Sequence, residues 1–200
     1  MFNEIVCLCA INEGGYANRL MTLDEVSENM TILLAFYHPD GQSDCDKINK
    51  LQADGVNLVA IVDADDTRQL PEQAFAMICC DDASFIAQLI FNAITTNSLL
   101  RIDWVDVLMG LAGSVFHHYR FVGRGEQRIQ MMIEQSKSII SIPSKQLCFC
   151  HGDFDMSELI EFFSYDEAEF LAYSLDHDLD LGDEIVMDML YSPIPQPISD

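Results

Sequence analysis

Basic side chains are scarce in this chain of 200 residues. Lys and Arg number 10 against 33 Asp and Glu, which gives a formal net charge of −23. So acidic a surface repels the phosphates of nucleic acids and the headgroups of anionic lipids. The composition therefore argues against nucleic-acid binding and against direct membrane binding.

Long apolar runs are also lacking. No stretch approaches the roughly 20 residues that a membrane-spanning helix needs, and residues 1–9 do not place a basic region ahead of an apolar one, as a signal peptide does. We therefore expect a cytoplasmic protein whose seven cysteines are reduced thiols. Half of the residues are hydrophobic, which is enough for a sizeable core.

The first half of the chain alternates short apolar runs with helical patterns. These patterns predict strands at 4–10, 31–37 and 57–62, and helices at 22–29, 43–53 and 72–95. Such alternation favours parallel strands joined by crossover helices. The last helix is long and apolar on one face, so we expect it to connect two lobes.

The second half predicts a mixed sheet covered by helices. The patterns indicate helices at 106–113, 126–140 and 157–163, and strands at 114–122, 146–151, 170–175 and 184–190. The tail from Ser192 onward is too rich in proline for regular structure, so we expect it to be loose.

Several segments resemble the FtsZ/tubulin family in the same order. Residues 4–10 followed by Gly14 and Gly15 resemble the strand that runs into the glycine-rich signature GGGTGTG. Residues 98–107 resemble the synergy loop, whose core reads NxDFADV. Residues 125–128 resemble the GEDR segment, and the stretches 174–176 and 183–186 resemble the loop and last strand of the second domain.

The resemblance implies an architecture of α/β plus α+β type. Residues 1–97 are expected to be a truncated, parallel-sheet remnant of the nucleotide-binding domain, including the connecting helix. Residues 98–192 are expected to form a four-stranded, two-layer α/β sandwich, and 193–200 a flexible tail. The phosphate loops that precede the glycine signature in the family have no counterpart.

The aligned glycine loop departs from the family pattern. Only Gly14 and Gly15 remain, Tyr16 adds bulk, and Glu13 places a negative charge where phosphates lie in the family. Phosphates are cradled by backbone N–H groups that glycines allow to approach closely. We therefore interpret the segment as a degenerate nucleotide loop and expect no autonomous GTP binding and no cofactor.

The segment that resembles the synergy loop keeps both family aspartates, as Asp103 and Asp106, beside Trp104, whereas Arg101 replaces the family Asn. The resemblance implies that this face docks on the nucleotide site of a neighbouring subunit. The implied partner is a complete FtsZ or FtsZ-like subunit, or another copy of this chain. Alternatively, Asp103 lies in a loop and Asp106 caps the following helix.

These residues favour a regulator or end-cap of cell-division filaments. We expect no catalysis by the chain alone; at most it assists GTP hydrolysis in trans, because carboxylates activate water only within hydrogen-bond reach. Two alternatives remain open: a structural or ligand-binding module that lost its filament contacts, and an enzyme with an unrecognised site.

Two patterns with metal-ligating residues favour structural roles. On a strand, Cys148 and Cys150 face one side and His151 the other, so buried thiols are favoured over zinc ligands. Asp176, Asp178 and Asp180 alternate as in a calcium loop, but Leu181 and Met187 occupy the positions that require Gly and Glu. We expect no metal site. Of the adjacent His117 and His118, one is expected to be buried and one exposed.

Overall fold

The computed structural model describes residues 4–40, 45–96, 100–140, 144–164, 168–176 and 181–193. The strands are β1 Val6–Ile11, β2 Gly15–Tyr16, β3 Met21–Thr22, β4 Met30–Tyr37, β5 Asn57–Val62, β6 Ala76–Cys79, β7 Val115–Arg124, β8 Ser144–His151, β9 Phe170–Asp176 and β10 Glu184–Pro193. The α-helices are α1 Cys45–Ala53, α2 Ala83–Thr95, α3 Trp104–Leu111, α4 Arg128–Lys137 and α5 Met156–Phe163.

The chain divides into two compact units. The first comprises Met1–Thr95 and Leu111–Phe116, and the second comprises Thr96–Gly110 and His117–Asp200. The short return of Leu111–Phe116 to the first unit is not visible in the sequence pattern. No helix in the described ranges is long and apolar enough to cross a membrane.

The first unit contains a sheet with the strand order β2-β1-β4-β5-β6, and β3 also pairs with β1. The strands β4, β5 and β6 are parallel, as the sequence predicts. The prediction for β1 is wrong, because β1 runs antiparallel to β4, with Ile11 opposite Met30.

The connection between β1 and β4 explains the antiparallel pairing. A parallel neighbour needs a crossover of a dozen or more residues, usually a helix. The predicted helix at 22–29 is instead a single 3₁₀ turn, Leu23–Glu25. Thr22 and Glu25 form a capping box at this turn, in which the N–H of Thr22 donates to Glu25 Oε2 at 2.9 Å.

The predicted long helix at 72–95 is also wrong in its first half. Ala76–Cys79 is a fully buried strand, and α2 starts only at Ala83. A side-chain oxygen of Asp82 accepts the N–H of Phe85 at 2.9 Å and so caps α2. α2 has 13 residues, fewer than predicted, and ends at Thr95, where the chain passes from the first unit to the second.

Both faces of the parallel strands are buried. Leu34 and Phe36 on β4 alternate with Ala35 and Tyr37, and all four are at most 1% exposed. Strands covered on both faces read as continuous apolar runs. This burial explains why the pattern located β4 and β5 so well.

The second unit contains a mixed four-stranded sheet with the order β7-β10-β8-β9. The pairs β7–β10 and β10–β8 are antiparallel, whereas β8–β9 is parallel. Residues of α4 and α5 pack with the sheet in one core; its buried members include Phe121, Met132, Cys148, Leu159, Phe162 and Met187.

α3 covers the other face of this sheet. A Cβ added at Gly110 of α3 would lie 2.8 Å from Phe170 and 2.9 Å from Leu147. Leu147 alternates with Cys148 along β8, so it points away from the α4–α5 core. In the second unit α3 therefore contacts the face of the sheet opposite to α4 and α5.

The expected loose tail begins later than predicted. Ser192 and Pro193 belong to β10 and lie opposite Lys145 and Ser144 of β8. Residues 194–200 lie outside the described ranges, as do residues 98 and 99 of the synergy-loop segment and Asp178 and Asp180 of the acidic loop.

We predict that Gly123→Ala lowers the free energy of unfolding by about 1–3 kcal/mol, because its Cβ would lie 2.2 Å from the carbonyl oxygen of Arg128. Gly15→Ala is the control, since a Cβ there meets nothing within 4 Å, and its effect should stay within about 0.5 kcal/mol. Denaturant unfolding monitored by circular dichroism measures both. Equal effects of the two substitutions would contradict this packing.

Candidate functional site

The segment that resembles the synergy loop leads from the edge of β9 into α3. The carbonyl of Leu100 accepts the N–H of Leu175 at 2.9 Å, which holds the chain beside β9. Ile102 and Val107 are buried, at 1% and 0% exposed. The sheet therefore fixes the start of α3 on one side and leaves its other side open.

The two aspartates cap the start of α3. Asp103 Oδ1 accepts the N–H of Asp106 at 2.9 Å, and Asp106 Oδ2 accepts the N–H of Asp103 at 3.1 Å. This reciprocal arrangement is a capping box that uses Asp in place of the usual Glu. Helix capping by Asp106 was the predicted alternative to docking on a partner. In the structure Asp103 is the N-cap residue, and Asp106 completes the capping box. That Asp103 and Asp106 assist GTP hydrolysis on a partner subunit stays a prediction.

An apolar pair lies on the open side of α3. Val105 is 56% exposed and Met109 is 59% exposed. Residues four apart are neighbours on a helix surface. Trp104 is half-buried. We call the surface formed by Val105, Met109 and Arg101 the α3 surface.

Arg101 is exposed beside this helix start. Most of the ten basic side chains form ion pairs with acidic residues, as Arg19 does with Glu25 at 2.7 Å. Within the described residues, Arg101 has no hydrogen-bond or ion-pair partner. A guanidinium in this state can bind a carboxylate or phosphate of another molecule in bidentate fashion.

The degenerate glycine loop forms a hairpin turn between β1 and β2. Gly14 adopts a φ of 90°, and its N–H donates to the carbonyl of Ile11 at 3.0 Å. Glu13 and Tyr16 are exposed. Because β1 is antiparallel, this turn lies at the amino ends of β4–β6, whereas ligands of open parallel sheets bind beyond the carboxyl ends. The turn therefore does not lie where a phosphate loop of an open parallel sheet contacts its ligand, and its interpretation as a degenerate nucleotide loop stays a prediction.

A shallow cleft of about 290 Å³ lies next to this hairpin in the first unit. Tyr16, Ala17 and Asn18 line one side, and Phe91 and Thr95 of α2 line the other. Its volume is at the small end of ligand pockets, which span roughly 300–1,000 Å³.

Titratable side chains surround a buried carboxylate in the second unit. Asp188 is fully buried, and its Oδ1 lies 2.8 Å from His118 Nε2. His151 Nε2 lies 3.8 Å from Asp188 Oδ2, and Arg120 Nε lies 3.8 Å from Oδ1. Sequence reasoning missed this cluster because its members lie on three different strands. The prediction of one buried and one exposed histidine is wrong, since His117 and His118 are both half-buried.

Burial controls the titration of several groups. The pKa of His151 is lowered by burial, although the nearby Asp188 opposes the shift. Burial also raises the pKa of the Cys7 thiol to about 12 and raises the pKa of Cys150. Cys148 and Cys150 are buried thiols, as predicted. The raised pKa values of Cys7 and Cys150 keep these two thiols protonated and weakly reactive near neutral pH.

Comparison with known proteins finds similarity among solved structures, and not among family models or curated proteins. No protein-family model and no curated protein matches the chain. The structure is similar to that of a mutant FtsZ from M. jannaschii, with a TM-score of 0.45 and 15% sequence identity. The match covers 74% of this chain and 50% of the FtsZ chain, so this chain spans about half the length of that structure.

We predict that Asp103→Ala destabilises the protein by about 1 kcal/mol, since it removes the side-chain acceptor at the start of α3. Asp103→Asn should cost much less, because the amide oxygen of asparagine also accepts the N–H of Asp106. Thermal and denaturant unfolding of the two variants measure the difference. Equal losses in both would show that the charge of Asp103, rather than its capping hydrogen bond, stabilises the fold.

We predict that His151 makes the protein less stable in mild acid. Its folded pKa lies below the ordinary value of 6.5, so the unfolded state binds more protons, and stability present above pH 6.5 is lost as the pH falls through that value. In His151→Gln the free energy of unfolding should decrease less than in wild type between about pH 7.5 and about pH 5. Denaturant unfolding at several pH values in this range measures the free energy of unfolding. If its pH dependence is the same in His151→Gln and wild type, His151 is not the group responsible.

Proposed function

We propose that this chain is a protein-interaction module that docks through the α3 surface onto the nucleotide face of a complete FtsZ-like subunit. The observation that carries the proposal is the exposed pair Val105 and Met109 beside the exposed Arg101. Apolar side chains surrounded by polar ones, together with an available arginine, are typical of interface centres.

The capped helix supports this role because it presents the surface in one conformation. Eight residues make a helix that is marginal in isolation, but the Asp103–Asp106 capping box and the packing of Gly110 on the sheet hold α3 in place. A preorganised surface loses little conformational entropy on binding.

The partner's identity follows from the family resemblance of residues 98–107. In that family the synergy loop approaches the nucleotide of the next subunit, where Arg101 could pair with a phosphate oxygen. The hairpin at Gly14 does not lie at the carboxyl edge of the parallel strands, which favours a chain that offers no nucleotide face of its own. A subunit with one docking face ends head-to-tail growth, since such growth needs two.

A second candidate is a ligand-binding module that uses the cleft at Tyr16 and Phe91. The capping roles of Asp103 and Asp106 favour it, because they account for both aspartates without any filament partner. Under this alternative the α3 surface does not take part in function.

We predict that a small molar fraction of the full chain reduces the polymer mass that a complete FtsZ forms with GTP, because one docking face caps a growing end. Light scattering measures polymer mass, and phosphate release is followed in parallel. The double substitution Val105→Ser and Met109→Ser should weaken the effect by about tenfold or more, as expected for truncated interface anchors.

Matched variants separate docking from other causes. Met156→Ser with Ile160→Ser removes an equally exposed apolar pair from α5 and should leave capping activity unchanged. Asp103→Asn with Asp106→Asn keeps the helix caps but removes both charges, so a loss of phosphate release alone would assign the carboxylates a role in trans. No change in polymer mass at equimolar protein would overturn the proposal for that FtsZ.

A further inference from the structure

A second exposed apolar pair lies on α5. Ile160 is 66% exposed and Met156 is 47% exposed, whereas Leu159 and Phe162 on the inner side are buried. The exposed residues are one helical turn apart and thus lie on the same side of the helix. α5 is therefore apolar both toward the core and toward solvent.

The position of α5 is fixed by polar contacts at its start. Asp155 caps the helix by accepting the N–H of Glu158 at 2.9 Å, and Glu158 accepts the N–H of Asp155 at 3.0 Å. Arg128 of α4 donates to both carboxylate oxygens of Glu158, at 2.7 and 2.9 Å. Gln130 of α4 also donates to Glu161. The outer face of α5 is thus preorganised.

The part of the chain that contains α5 is more acidic than the whole-chain charge suggests. Residues 146–200 contain 14 of the 33 acidic residues and none of the ten Lys and Arg. Asp153 and Asp155 are exposed at the start of α5, and Glu161 is half-buried beside Ile160. The hydroxyl of Ser157 and nearby N–H groups hold the pKa of Asp155 below its usual range, so it stays ionised.

Charge decides which occupant suits such a surface. A second copy of this chain would bring another acidic face, and an anionic membrane or a nucleic acid would be repelled for the same reason. A partner with an apolar stripe flanked by Lys and Arg suits this surface better. Its apolar stripe would cover Met156 and Ile160, and its basic side chains would pair with the carboxylates around them. Methionine also adapts its shape to different apolar partners.

We propose that the outer face of α5, formed by Met156 and Ile160 with Asp153, Asp155 and Glu161, docks a basic amphipathic helix of a partner protein. α5 is about 12 Å long at 1.5 Å per residue, so it matches two to three turns of the partner. The apolar pair meets the partner's i and i+4 positions, and the carboxylates pair with basic residues that flank them. This proposal is independent of the α3 surface.

The test uses the full chain and three fluorescent peptides of about 14 residues. The first peptide places Leu along one helical face and Lys elsewhere. The second replaces every Lys by Glu, and the third has the composition of the first in an order without an apolar face. Fluorescence anisotropy at increasing salt concentration gives the dissociation constants.

The amphipathic Lys peptide should bind most tightly, with an affinity that falls as salt rises. Met156→Ser with Ile160→Ser should weaken its binding about tenfold or more, and Val105→Ser with Met109→Ser on α3 should leave it unchanged. All four positions are exposed, and unfolding curves confirm that each double variant is folded.

Three results would overturn the proposal. One is that the amphipathic Lys peptide fails to bind the wild-type chain. Another is equal binding of the scrambled peptide, which indicates attraction by net charge alone. The third is equal binding by the α5 double variant and wild type. If the chain does not cap FtsZ filaments but still binds the amphipathic Lys peptide, the proposed function is wrong and the proposal for the α5 face stands.

Discussion

The scarcity of cations constrains the whole molecule. Ten basic side chains face 33 acidic ones, so ion pairing cannot hold the surface together, and exposed pairs such as Arg124–Glu184 stabilise proteins little. Stability must come from apolar burial in the two cores. The few arginines with buried or half-buried partners therefore matter most: Arg128 joins α4 to α5 through Glu158, and Arg120 lies near the fully buried Asp188.

Apolar burial also explains which parts of the fold were predictable from sequence. The strand Asn57–Val62 was predicted to the residue, because a strand buried on both faces is a continuous apolar run. The same property misled the reading of Ala76–Cys79, since short apolar runs do not distinguish a buried strand from a helix. The direction of β1 was mispredicted for another reason: it depends on whether the following connection contains a helix, and only one 3₁₀ turn formed there.

The candidate site was predictable in place but not in detail. The sequence singled out Asp103 and Asp106 and offered helix capping as one reading, yet spacing alone could not show that each caps the other. The exposure of Val105 and Met109 was not predictable, because periodicity shows that a helix has an apolar side but not which residues a sheet covers. His118 and Asp188 are 70 residues apart in sequence, so only strand pairing reveals their contact.

Replacing either exposed apolar pair should affect binding to a partner more than the stability of the fold. Both lie on eight-residue helices with capped starts, and both point away from the sheet of the second unit, so neither is needed to close a core. α3 and α5 cover opposite faces of that sheet, and one partner therefore does not obstruct the other. Arg101 gives the α3 surface a cation that is unpaired within the described residues, whereas residues 146–200 contain no Lys or Arg and Arg128 of α4, at the start of α5, is paired with Glu158. We expect the α3 surface to favour a partner that carries an anion and the acidic α5 face to favour a basic one, so their charges would direct the two surfaces to different partners.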